Sequence, residues 1–426
     1  MPNGATTAHL YRPKLLTVLS EGYGLPALRL DLVAGLTVAI VALPLSMAIA
    51  VASGVSPDRG LYAAIVGGFI VSALGGSRFQ IGGPAGAFIV LVSTTVAQYG
   101  VDGMLLAVML SGLMLVVVGA CRLGTLVRHV PHAVTVGFTA GIACTILASQ
   151  LRELGGLRLA GEEPGPVISK LAALAQALPT LNLAALALGT GVAAAVFALR
   201  RWKPSFPGML FAVVAASVLA WACRLDVATI AGTFGNLPRG LPVPALPQVT
   251  AQSVLDILPT ALAFTLLGGI ESLLSAKVAD GMTARVHRSN MELVAQGLAN
   301  VASALFGGIS VTGTIARTAT NVRAGAASPV SGMLHAAFLL LFMLVAAPLA
   351  GFVPLAALAG VLVVVSWNMV ERAEVTRLLG ERRSAAVLLA TFGLTLLRDL
   401  TSGIVVGCVL AAVLALVRRP MPSEGP

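Results

Sequence analysis

Two ionisable side chains interrupt long apolar runs of an otherwise charge-poor interior. Glu271 lies in Leu266-Leu267-Gly268-Gly269-Ile270-Glu271-Ser272-Leu273-Leu274-Ser275, and Arg317 lies in Thr314-Ile315-Ala316-Arg317-Thr318. A charged residue at mid-bilayer costs about 2.5–3.5 kcal/mol on insertion scales and normally faces a cavity or a partner. Helical spacing puts Gly268, Glu271 and Ser275 on one face, and it aligns Thr314, Arg317, Thr318 and Asn321 as a polar stripe. The forked guanidinium of an arginine suits an oxyanion such as sulfate or bicarbonate. The alternative is a Glu271–Arg317 pair that only locks the helices together.

Beside these charges stand two glycine-rich breaks. The first is Gly82-Gly83-Pro84-Ala85-Gly86, and the second is Gly307-Gly308-Ile309-Ser310-Val311-Thr312-Gly313. A helix that starts inside a membrane leaves its first N–H groups unpaired and carries partial positive charge there. Such an end is tolerated where it lines a cavity or meets a ligand, and two facing ends make an anion site. The candidate substrate-binding residues are therefore Pro84, Ala85, Gly86, Ala87 and Phe88 at one end. At the other they are Thr312, Gly313, Thr314 and Arg317. Gly82, Gly83 and Gly86 allow close backbone approach, and Ser310 or Thr312 is expected to cap the second helix.

The elements that must hold these residues are hydrophobic spans. The chain of 426 residues is 57% hydrophobic and 10% charged, with aromatics at only 5%. A soluble domain averages about 25% charged residues. Apolar stretches near bilayer length recur from Leu32 to Val417, about fourteen in number. Those at 84–98 and 312–322 are short, and a piece at 167–178 reads as an interfacial helix. The polar N-terminus lacks a small-residue cleavage site, so the first membrane helix is expected to be retained.

The two breaks occupy matching positions in two halves. The first span opens with Leu30-Asp31 and carries Pro44, and the eighth opens with Leu255-Asp256. Paired interrupted segments of this kind point to a transporter binding site. Seven spans per half is an odd number, so the second half inserts upside-down. The expected fold is an all-α polytopic membrane protein, a 7+7 inverted repeat whose third and tenth elements are half-helices.

The net charge of +10 sorts by loop. With the N-terminus in the cytoplasm, most Lys and Arg fall on the cytoplasmic side, which is the positive-inside bias of an inner (plasma) membrane protein. Both termini are then cytoplasmic. The basic residues are dispersed over loops, which argues against nucleic-acid binding. Cys121, Cys144, Cys223 and Cys408 have no paired spacing, so neither a disulfide framework nor a zinc site is expected. His129 and His132 flank Pro131 with no carboxylate nearby in sequence, and read as interfacial. Lys277, Asp280, Arg285 and Arg288 read as a solvated loop. No GxxxxGK, GxSxG or HExxH pattern occurs, so no ATP-driven or hydrolytic engine is visible.

Four stretches together carry a family resemblance. They are Asp31-Leu32-Val33-Ala34-Gly35-Leu36-Thr37-Val38-Ala39 followed by Pro44, Gly82 through Phe88, Glu271 through Ser275, and Arg317 through Gly325. In order and spacing they resemble the sulfate permease (SulP) family of anion transporters over nearly the whole chain. The resemblance implies a cytoplasmic segment 1–30, a core domain from 31–122 and 251–350, a gate domain from 123–250 and 351–419, and a tail 420–426. It implies substrate held between the third and tenth helices, with Arg317 as the anion-binding arginine and Glu271 as the coupling carboxylate. It also implies a homodimer and an elevator-type movement. Where plant-like sulfate permeases carry Gln after the first-span proline, this chain has Leu45, closer to bacterial bicarbonate-type members. Those members often lack the tenth-span arginine, which is present here as Arg317. The family usually continues into a cytoplasmic STAS domain, so a chain ending at Pro426 either lacks that domain or is truncated.

The expected function is secondary transport of an inorganic oxyanion, sulfate foremost, by proton symport and without a cofactor. An anion arriving at Arg317 places negative charge near Glu271 and favours its protonation. Sodium is the rival coupling ion, because Glu271 and Ser275 offer oxygen ligands. Bicarbonate (with or without sodium) and dicarboxylates are alternative substrates. A nucleobase–proton symporter of the same architecture is a further alternative, which the anion-suited arginine disfavours.

Overall fold

The computed structural model describes residues 11–124, 131–161, 164, 167–203, 206–247, 251–398 and 400–416. The first ten residues, His129 and the expected tail 420–426 lie outside the described residues. The described chain is helical apart from two very short strands and the connecting loops.

A short surface helix α1 (Lys14–Ser20) precedes the first span, α2 (Leu25–Ala52), which begins with proline in its first turn and holds Pro44 inside it. The second span is composite. Pro57 starts α3 (Pro57–Tyr62), a π-helical turn Ala63–Gly67 follows, and α4 (Gly68–Leu74) ends at Gly75. The strand β1 (Gly82–Gly83) and a 3-10 turn Gly86–Phe88 lead into α5 (Ile89–Ala120). Gly100, with φ +70°, breaks α5 into the third, half-length element and the fourth span.

After these come α6 (His132–Gly155), interfacial α7 (Val167–Gln176), α8 (Leu183–Trp202), α9 (Gly208–Ala222) and the small α10 (Ile230–Phe234). The second half runs through α11 (Ala251–Thr283), α12 (Ser289–Leu305), β2 (Thr312–Gly313), α13 (Ile315–Arg323) and α14 (Val330–Ala350). It closes with α15 (Leu355–Met369), α16 (Arg372–Leu379), α17 (Arg382–Leu397) and α18 (Leu400–Leu416). Each of the fourteen expected elements has its helix. Seven helices among the described residues are long and apolar enough to cross a bilayer by themselves.

Packing sorts these helices into two groups. The composite second span, α5 and α11 through α14 pack around the strand pair, with α2 against α14 and α13. A second group is α6, α8, α9, α15, α17 and α18, and α2 touches it through α15 and α9. In both groups glycine lets helix backbones meet, the usual packing device where lipid removes the hydrophobic drive between helices. A Cβ on Gly112 would lie 2.6 Å from the carbonyl oxygen of Gly297, and one on Gly297 would lie 2.4 Å from that of Gly112. In the second group a Cβ on Gly360 would lie 2.3 Å from the Gly189 carbonyl. The antiparallel strand pair joins the equivalent breaks of the two halves, as an inverted repeat requires. All four cysteines are free.

Candidate functional site

The two breaks complete each other. β1 and β2 pair antiparallel with Gly82 opposite Gly313 and Gly83 opposite Thr312, and all four residues are buried. The pairing uses backbone groups that an interrupted membrane helix would otherwise leave bare. It continues on both sides: the Thr314 N–H donates to the Ile81 carbonyl at 3.0 Å, and the Ile81 N–H donates to Thr318 Oγ1 at 3.1 Å. No side chain fits at Gly313 or Gly83 of the crossing. A Cβ on Gly313 would meet Gln80 Nε2 at 1.9 Å, and one on Gly83 would meet Arg317 Nη1 at 2.2 Å.

Arg317 lies beneath this crossing and is 1% exposed. Its Nη2 donates to Ser46 Oγ and to the Pro84 carbonyl, both at 3.2 Å, while Nε and Nη1 have no protein partner. Among the described residues no carboxylate forms an ion pair with it. A buried cation without a counter-charge is costly, and the start of the third element adds the partial positive charge of its first N–H groups. The centre is therefore electropositive.

The Pro84–Phe88 segment divides its roles. Pro84 supplies the carbonyl that Arg317 holds. Gly86 faces the second helix group, where a Cβ would meet Ile146 Cδ1 at 3.4 Å and Met369 Sδ at 3.5 Å. Ala85 and Ala87 are buried. The Phe88 ring stacks on Phe264 of α11 with centroids 5.7 Å apart, so it braces the half-helix against α11. On the opposite side Thr312 Oγ1 donates to the Gly268 carbonyl at 3.3 Å, and Thr314 Oγ1 to the Ile81 carbonyl at 3.2 Å. Ile315 and Ala316, the first residues of α13, are exposed.

Glu271 is partly exposed and makes no hydrogen bond or ion pair among the described residues. A Glu271–Arg317 lock is therefore not formed. Its neighbours on α11 are committed instead. Ser272 Oγ accepts from Gln80 Nε2 at 2.8 Å and donates to Gln296 Oε1 at 3.2 Å. Gln296 Nε2 in turn donates to the Val311 carbonyl. Ser275 Oγ donates to Thr318 Oγ1 at 3.0 Å, which ties this hydroxyl to α13 and leaves Glu271 without it. The expected caps also differ. Thr314, not Ser310 or Thr312, sits at the start of α13, because residues 312 and 313 are extended and paired before the helix begins.

Sequence comparison identifies the arrangement. The family model described as "Sulfate permease family" matches residues 28–391. The chain belongs to the sulfate permease family. It is a multi-pass membrane transporter, not an enzyme. The chain is 45% identical over 403 residues to the "Putative sulfate transporter YvdB" of Bacillus subtilis (strain 168), covering 94% of this chain and 75% of that one. It is 33% identical to the "Bicarbonate transporter BicA" of Picosynechococcus, covering 92% and 70%. A solved structure titled as the transmembrane domain of a cyanobacterial BicA superposes with a TM-score of 0.78 at 29% identity, covering 92% of this chain and 98% of that one.

In this sulfate permease fold, three buried titratable residues join the two found in the sequence. Asp31 is fully buried and accepts from Tyr23 Oη, from the N–H groups of Ala327 and Ser328, and from Ser328 Oγ at 2.5 Å. Glu292 is fully buried in α12 and accepts the Ser77 N–H at 2.8 Å. His335 is fully buried in α14 with neither ring nitrogen hydrogen-bonded. Ser46 is a further miss, signalled only by its place two residues after Pro44. Two loop readings change as well. His132 pairs with Glu374 at 3.1 Å, a carboxylate 242 residues away, and Asp280 accepts both from the His287 N–H and from its ring.

Proposed function

We propose that this chain is a secondary active transporter carrying an inorganic oxyanion, sulfate foremost, across the inner membrane by proton symport. The observation that carries the reading is the buried Arg317 guanidinium, which has no carboxylate counter-charge among the described residues and lies where two half-helix starts cross. An oxyanion supplies that charge and accepts from the donors Arg317 still has free. The likeness to a putative sulfate transporter supports sulfate.

Glu271 is the coupling carboxylate, partly exposed and unpaired, so it is free to gain and lose a proton. Ser275 Oγ donates to Thr318 Oγ1, so its hydrogen is not offered to Glu271, and the carboxylate meets its coupling proton without that bond. Residues 31–122 and 251–350 form the core that carries the site. Residues 123–250 and 351–419 form the gate against which the core slides as an elevator, and two copies associate as a homodimer. Both termini face the cytoplasm, in keeping with the distribution of Lys and Arg.

Uptake of radiolabelled sulfate into proteoliposomes, with and without an inward proton gradient, tests the reading. Gradient-driven accumulation is expected, and E271Q should keep sulfate exchange while losing the accumulation. A rate indifferent to the gradient removes the coupling. Leu45 after Pro44 and the likeness to BicA favour bicarbonate as the second reading, and competition between the two anions ranks them.

A further inference from the structure

His335 stands apart from the residues assigned above. It sits on the buried face of α14, fully enclosed, with Nδ1 and Nε2 both unpartnered. Two glycines lie beside it. A Cβ on Gly35 of α2 would lie 3.1 Å from the His335 backbone nitrogen, and one on Gly68 of α4 would lie 3.9 Å from Nδ1. The same Cβ on Gly68 would be 2.9 Å from the carbonyl oxygen of Gly82, so the imidazole lies just behind the strand pair. Other polar atoms around this pair are also unpartnered, namely Ser72 Oγ, Asn321 Oδ1 and the Nε and Nη1 of Arg317.

The charges around the imidazole are few. Arg317 of α13 approaches the same strand pair, its Nη1 2.2 Å from where a Cβ on Gly83 would lie. On α2, Arg29 is exposed at the helix start, and Asp31 is saturated by Tyr23, Ala327 and Ser328. The π turn and α4 carry no ionisable side chain, and Glu292 beyond them takes the Ser77 N–H. A second cation here would be desolvated and also repelled by Arg317, with nothing to offset either. An anion on Arg317 reverses that balance, and a divalent anion does so more strongly than a monovalent one.

We propose that His335 is a proton-binding site of the transport cycle. It takes up a proton when a divalent oxyanion occupies the Arg317 site, and thereby sets the preference for divalent over monovalent anions. The proton comes from water, adds to a ring nitrogen lone pair to give the imidazolium, and leaves when the anion leaves. The inference rests on the anion-transport reading and adds a second proton to the one on Glu271.

The test measures protons taken up on ligand binding by purified protein in weak buffer with a pH-indicating dye, using sulfate and nitrate. The wild type is expected to take up about one more proton per sulfate than per nitrate. In H335Q that excess disappears, and sulfate affinity loses about a tenfold dependence per pH unit, the slope of one linked proton. Nitrate binding stays unchanged. An H335Q protein with the wild-type excess overturns the proposal. Equal proton uptake with both anions in the wild type overturns it without any variant. Binding of neither anion by the wild type overturns the anion-transport reading itself.

Discussion

Arg317 Nη2 donates to the carbonyl oxygen of Pro84 at 3.2 Å, a bond between residues 233 positions apart. The arginine of one half-helix thus holds the start of the other, so the side chain proposed to bind the anion also joins the two halves. R317A is expected to lower sulfate affinity roughly ten- to a hundredfold, the range of one charged hydrogen bond. R317K keeps the charge, loses the fork and recovers only part of the affinity. Calorimetric titration with sulfate checks both variants.

At Gly83 and Gly313 the crossing of β1 and β2 has no room for a methyl group. G83A forces Arg317 aside, and G313A forces Gln80 off Ser272. Each should cost about 1–3 kcal/mol through overpacking, read as a lower melting temperature in detergent. G83A should also lose sulfate binding, whereas G313A should bind once folded.

Asp31 satisfies donors from the loop ahead of α14. In D31A the Ala327 and Ser328 N–H groups are left buried and unpaired, at about 1–3 kcal/mol for each group. Hydrogen exchange at residues 324–331 should rise while exchange at α17 stays the same.

At the surface, the Arg78 hydrogen bond at 2.5 Å holds the Glu21 carboxyl below the usual carboxylate range. A depressed folded-state pKa contributes stability that is present above the unfolded value, about 4, and is lost as pH falls through the folded value. The docking of α1 should therefore loosen only in acid. E21Q should show at neutral pH the α1 exchange rates that the wild type shows in acid.

The sequence made the spans and breaks legible because their physics is local. A run such as Gly82-Gly83-Pro84 cannot continue a helix, and Arg317 stands out in any apolar window. Orientation within a helix was less accessible. Adjacent residues on α11 differ by about 100°, so Glu271 and Ser275 drew attention while Ser272 makes the bond to Gln80. Asp31 marked a repeat, but its partners Ala327 and Ser328 lie nearly 300 residues on, and no local pattern encodes them. His335 carries no charge signal of its own. Its enclosed position beside Gly35, Gly68 and the strand pair exists only once the fold has formed.

The strand pair also dictates when the protein can be finished. Gly82 and Gly83 find Gly313 and Thr312 roughly 230 residues later, about 10–50 s of synthesis at 5–20 residues per second. Until then the first break sits in the membrane with its peptide groups unanswered, and the early helices form a provisional bundle. Biogenesis is therefore a late commitment: a nascent chain halted before Thr312 holds its whole first half and two helices of the second yet has nothing to close the first break.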